Sequence, residues 1–168
     1  MLVFFLYIIF IFLFNMVLVN LLPFVESLSI FSPMLFLGLM PFLFMLIKNK
    51  KIYFLIVGIT SFIIDMLYSE YFLFIFILLM TIAIFNYLFF KKISFTFFNL
   101  LLVTILNIII FDSIIFFSLV IFFNYKYEFF DLIYKISHSL ILNLIYVSSL
   151  YFLFSRKFGD NKRLKYKK

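Results

Sequence analysis

The chain has no cysteine, one alanine (Ala83), one histidine (His138) and three glycines among its 168 residues. Without cysteine there is no disulfide, thiolate metal site or thiol nucleophile, and nothing can be read about redox compartment. The glycines stand far apart, at 38, 58 and 159, so no glycine-rich phosphate loop can be written. A lone histidine leaves a metal site dependent on scattered acids, whereas such sites draw on several ligands at close spacing. Charge is scarce too, at 12% of residues against 68% hydrophobic. A soluble domain of this makeup would need a surface of Phe, Ile and Leu, so the composition points to lipid as the solvent. Thirty-one phenylalanines beside a single alanine suggest a coding bias toward A and T, so individual Phe positions carry little information.

The charge that is present has a definite placement. Of fourteen Lys and Arg, seven lie in 156–168 and five more in 48–51 and 91–92. Apolar runs between these breaks predict six spans, at 1–22, 34–47, 52–69, 71–90, 93–111 and 136–154, the second of them short. About 20 apolar residues cross about 30 Å of hydrocarbon. The first run lacks the basic start and small-residue cleavage site of a signal peptide, and reads as a span. A break follows at 23–33, PFVESLSIFSP. Pro41 predicts a kink in the second span, with neighbouring helices satisfying the carbonyl it frees.

The apolar run 93–123 is too long for one untilted helix, so 113–123 is expected as a tilted extension or a re-entrant piece. Residues 124–135, NYKYEFFDLIYK, are expected as a separate amphipathic helix in the membrane interface. Its Phe129, Phe130 and Ile133 would share a side with Ile136, opposite Glu128, Asp131 and Lys135, with Asp131 pairing to Lys135 four residues on. Residues 156–168, RKFGDNKRLKYKK, form a basic tail that is solvated and drawn to anionic lipid. No module for reading nucleic acid accompanies it. With six spans the three basic clusters share one side and hold 12 of the 14 basic residues, which predicts cytoplasmic termini. The expected fold is all-α: a single polytopic six-helix transmembrane bundle over 1–155, with the tail beyond it.

The stretch 56–70, IVGITSFIIDMLYSE, carries a formal charge deep in an apolar run. Gly58, Ser61, Asp65 and Ser69 fall within about 80° of a helix, a stripe that lets a neighbour approach closely. This helix is therefore expected in the bundle interior. For Asp65 the reading as a hydrogen-bonded structural group outweighs that of a proton or cation relay or a partner contact. Asp112 carries the same ambiguity, and at similar depth the two carboxylates could share a proton. His138, Ser139, Asn143, Tyr146 and Ser149 share a face about 140° wide that reads first as helix-to-helix hydrogen bonding and second as a pore lining. Asn99, Thr104 and Asn107 read likewise. A serine–histidine–aspartate set can be written from Ser61, His138 and Asp65, but any chain this rich in serine permits one. The candidate contact residues are Gly58, Ser61, Asp65, Ser69, Asp112, His138 and Asn143. No catalytic set, cofactor or metal is expected.

Three stretches carry a family resemblance: GITSFIIDMLYS (58–69), LLVTILNIIIFDSIIFF (101–117) and ILNLIYVSSLYFLFSRK (141–157). They resemble the small-residue and Asp helix, a later Asp-bearing helix, and the final span with basic exit of the bacterial rod shape-determining protein MreD family. Members often carry Gly four residues before and after the first Asp, where this chain has Ser61 and Ser69. The resemblance implies a non-enzymatic scaffold of the cell-wall elongation machinery in the bacterial cell (inner or plasma) membrane. It would couple MreB-like filaments to MreC-like proteins and the peptidoglycan synthases. A substrate-binding membrane subunit of a vitamin-type transporter is the alternative of similar size. Against it, 1–22 contains no alanine for docking to a transport module, and the outer loops are short. An orphan membrane component with Asp65 as proton carrier is a third.

Overall fold

The computed structural model describes residues 35–68, 72–123 and 128–165, with the backbone alone for 67–68, 122–123, 138 and 154–165. Among them five helices follow one another without a strand: α1 (Leu35–Leu46), α2 (Lys50–Tyr68), α3 (Phe74–Lys92), α4 (Phe97–Phe123) and α5 (Phe129–Lys165). The span expected at 1–22, the break at 23–33, Ser69 and Glu70 lie outside the described residues.

α2, α4 and α5 start where a nearby side chain satisfies a free N–H group. Asn49 accepts from the Lys51 N–H at 3.0 Å and so caps α2. Thr96 accepts from the Asn99 N–H at 3.2 Å, just before α4. Asp131 reaches back to the Glu128 N–H at 2.9 Å, the acidic half of a capping box at the start of α5. At the other ends, Lys91 and Lys92 close α3, where cations suit the carbonyl end of a helix.

Short connections reverse the chain, so α2 packs most extensively on α3, and α4 on α5. α1 lies between these hairpins and touches all four other helices. Its first ten residues, 35 to 44, are all buried. The helix bearing Asp65 was expected in the interior. Among the described helices α2 packs on α3 and lightly on α1, with Ser61 and Asp65 of its polar stripe buried. Leu55, Ile59, Phe62, Ile63 and Met66 face outward on its remaining surface.

Of the two forms expected for 113–123, the extension is the one that forms: these residues continue α4 without a break, giving one helix of 27 residues. Neither Gly nor Pro occurs from 97 to 123 to interrupt it. The amphipathic segment, from Phe129 on, is likewise the first turns of the same 37-residue helix that contains the span at 136–154 and runs on into the basic segment. At 1.5 Å per residue that helix is about 55 Å long, well beyond a hydrocarbon core.

Among the described residues three helices are long and apolar enough to cross a membrane: α3, α4 over Phe97–Ile121 and α5 over Phe129–Leu153. α1 is a shorter apolar helix. Large apolar side chains such as Phe72, Phe98, Ile121, Ile145 and Phe152 face outward, while Ser61, Asp65, Asn86, Asn107, Asp112 and Asn143 are buried. This outside-apolar, inside-polar arrangement is what a lipid solvent requires.

Candidate functional site in the polar interior

Asp65 is 1% exposed, and both carboxylate oxygens are engaged. Oδ2 accepts from the Leu73 N–H at 2.7 Å, and Oδ1 from the N–H groups of Ile75 at 2.8 Å and Phe76 at 3.2 Å. These donors belong to the first turn of α3. Leu73, at the cap position, has a left-handed backbone (φ 66°) and makes no capping side-chain bond. A leucine in that region is strained by about 1–2 kcal/mol. An aspartate eight residues upstream thus supplies the cap that the local sequence lacks, with its negative charge at the positive end of the helix. Ser61, one turn earlier, is fully buried. A Cβ on Gly58 would rest 3.8 Å from the Met80 sulfur of α3, in ordinary contact.

A closer approach than that at Gly58 lies at Gly38 of α1. A Cβ there would meet Val147 Cγ2 at 2.7 Å and Asn143 Oδ1 at 2.9 Å, both on α5, and Thr104 Cγ2 of α4 at 3.6 Å. Only a residue without a side chain admits this three-helix junction. Three residues on, Pro41 has no N–H to give the Leu37 carbonyl. Asn107 Nδ2 of α4 reaches that carbonyl at 3.4 Å. Asn143 Nδ2 donates within its own helix to the Ser139 carbonyl at 2.9 Å, and its Oδ1, which has no hydrogen-bond partner, lies 2.9 Å from where a Cβ on Gly38 would stand.

At the α4–α5 contact, Asp112 is 2% exposed and its Oδ1 lies 3.8 Å from Lys135 Nζ. Its Oδ2 has no partner. The pairing expected between Asp131 and Lys135 is replaced by this one, because Asp131 is turned back to cap α5. Nor do Asp65 and Asp112 share a proton: Asp65 is saturated by backbone donors of α3, and Asp112 faces Lys135 of α5.

Lys50 closes the opposite end of the bundle. Its Nζ donates to the carbonyls of Phe44 at 2.8 Å and Ile47 at 3.0 Å and sits 3.5 Å above the Phe44 ring. Phe44 stacks on Phe90 and Phe95 and meets Tyr53 edge-on, so α1, α2, α3 and the α3–α4 turn are joined there. Phe97 packs on Tyr151 and Phe152 of α5. The Tyr53 hydroxyl faces the buried Asn86 amide without hydrogen-bond geometry.

Of the sequence candidates, Ser61 and Asp65 stand together on the α2–α3 contact, Asn143 sits at the three-helix junction and Asp112 pairs with Lys135. The His138 side chain and Ser69 lie outside the described residues. The face expected on the sixth span divides, since Ser139 and Asn143 point inward and Ser149 is exposed, bonded to the Tyr146 carbonyl. Of Asn99, Thr104 and Asn107, only Asn107 bridges helices. Asn99 binds the Ser94 carbonyl ahead of α4, and Thr104 binds the Leu100 carbonyl of its own helix. Sequence reasoning missed Gly38 and Lys135 as contact residues. The signal for Gly38 was its place three residues before Pro41, where a freed carbonyl invites a close neighbour. Among the described residues no three His, Cys, Asp or Glu converge as a metal would require.

Fold and interior together define an all-helical protein with helices suited to crossing a membrane and a polar interior that joins helix to helix. No family model, curated protein or solved structure matches the chain.

Proposed function

We propose that the chain is a multi-pass protein of a bacterial cell membrane that serves as a non-enzymatic scaffold of the cell-wall elongation machinery. In this reading six spans place both termini in the cytoplasm. MreC-like proteins and peptidoglycan synthases bind it from the outer side and MreB-like filaments from the inner. The observation that carries the reading is the use made of the buried polar groups. Asp65 caps a helix, Asn107 replaces a lost backbone bond, and Asn143 seats a glycine. Groups committed to packing suit a rigid docking body better than a carrier, which must present polar atoms to a solute. Two further features support it: the three stretches that resemble the MreD family, and the convergence of the 48–51 and 91–92 lysines on the end joined by Phe44, Phe90 and Phe95.

Depletion of the protein from rod-shaped cells tests the function: rounding with unchanged vitamin uptake is expected. Normal shape with reduced uptake would replace the scaffold by the transporter subunit. Native-membrane pull-down should recover elongation proteins. A reporter active only outside the cytoplasm should be silent when fused after 168 or inserted at 93–96, and activity at either place would overturn the topology.

A further inference from the structure

The Asp112 carboxyl is a buried acidic group whose surroundings leave it half-served. Asp65 holds three backbone N–H donors, whereas Asp112 has a single lysine beyond hydrogen-bond distance from Oδ1 and nothing at Oδ2. It lies fifteen residues into a helix long and apolar enough to span a membrane, where an incompletely paired carboxylate is strongly disfavoured. Lys135 is not locked in place, since its side chain is 27% exposed and on the first two turns of α5, from where a long stem can carry the ammonium to the interface.

We infer that Asp112 is a proton-binding site in the α4–α5 contact, its carboxyl taking up a proton when Lys135 withdraws and releasing it when Lys135 docks. The exchange is balanced: one positive charge, proton or ammonium, sits beside the carboxylate in either state. A proton fits this site better than a metal cation. Hard cations collect several oxygen ligands, and the free oxygen here is a single one. The other described elements packed on α4 bring no competing charge. α1 has no titratable residue, and α3 carries only Tyr87, Lys91 and Lys92, in its last two turns at the opposite end of the bundle. On α5, Asp131 is occupied by the Glu128 N–H, Tyr134 is exposed, and His138 is the remaining titratable residue of that region. The ligand is thus a proton drawn from the side of the membrane where α5 begins. This inference is independent of the scaffold role.

Infrared difference spectra of the full chain in lipid nanodiscs, taken from about pH 5 to about pH 9, test it. A carboxylic-acid carbonyl band that grows as pH falls and is missing from Asp112→Asn is expected. In Lys135→Met, which removes the competing ammonium, the band should persist to higher pH by about one unit or more. A hydrophobic carbodiimide, which attacks carboxyls in their protonated form, should label Asp112 in parallel and leave Asp65 unlabelled. Absence of any Asp112→Asn-sensitive band over that range overturns the proposal. So does suppression of the band by sodium at fixed pH, which would make this a cation site, or an unchanged titration in Lys135→Met.

Discussion

Asn107 of α4 donates its side-chain amide to the carbonyl of Leu37, the one acceptor in α1 that Pro41 leaves without its helical N–H. The break made by proline in one helix is thus repaired from another. The two residues should be thermodynamically coupled. Asn107→Leu is expected to lower stability by about 1 kcal/mol in the natural chain, the scale of interhelical hydrogen bonds in membranes. In a Pro41→Ala background position 41 regains an N–H for the same carbonyl, and the loss should shrink by about half or more. Equilibrium unfolding of all four variants in mixed micelles measures the coupling, and a value near zero would show that the bond contributes nothing.

The two glycines of the bundle should respond oppositely to the same change. Gly38→Ala sets a methyl group 2.7 Å from Val147 Cγ2 and 2.9 Å from Asn143 Oδ1, so α1 must separate from α5. A loss of about 1–3 kcal/mol is expected from the overpacking. Gly58→Ala meets only the Met80 sulfur at 3.8 Å and should be neutral or gain about 0.5–1 kcal/mol from helix propensity. Thermal melts of the pair in one detergent decide the order.

Removal of the Asp65 carboxylate should be felt in α3 rather than in α2. Asp65→Ala leaves the N–H groups of Leu73, Ile75 and Phe76 without acceptors, with an expected loss of about 2 kcal/mol or more. Asp65→Asn keeps one acceptor oxygen and should lose roughly half as much. Hydrogen exchange localises the effect: faster exchange at 73–76 with 53–60 unchanged is the expected pattern.

Lys50, just outside the 52–69 span, is held below the ordinary lysine value by burial against the α1 end. Its folded-state pKa therefore lies under that of the unfolded chain, and between the two the unfolded state binds more protons. Stability contributed here is reduced while the ammonium is charged, and rises as pH climbs from the lowered value toward 10.5. Denaturant midpoints taken on the alkaline side should rise in the natural chain, and that part of the slope should vanish in Lys50→Met.

Among the described residues the sequence shows where two of the helices stop. Lys48 to Lys51 and Lys91–Lys92 are lysines that lipid rejects, and α1 and α3 end there. It also shows that Pro41 needs help from a neighbour. It does not show that α1, the shortest and least charged of the described helices, touches all the other four. In α3 and α4 apolar residues cover nearly the whole circumference, so no stripe separates a protein-facing side from a lipid-facing side. Lipid tails and leucine side chains are equivalent solvents for one another, and periodicity carries little of the packing.

The same distinction divides the candidate site. Composition by itself determined that polar side chains in the spans must turn inward, because hydrocarbon offers them no hydrogen bonds. Only the tertiary structure decided their partners: Asp65 with the start of α3, Asp112 with Lys135, and Asn143 with Gly38 more than a hundred residues before it. The local sequence sets what each helix cannot expose. Which atoms meet depends on distances between segments remote in the chain, and those arise only when the helices pack.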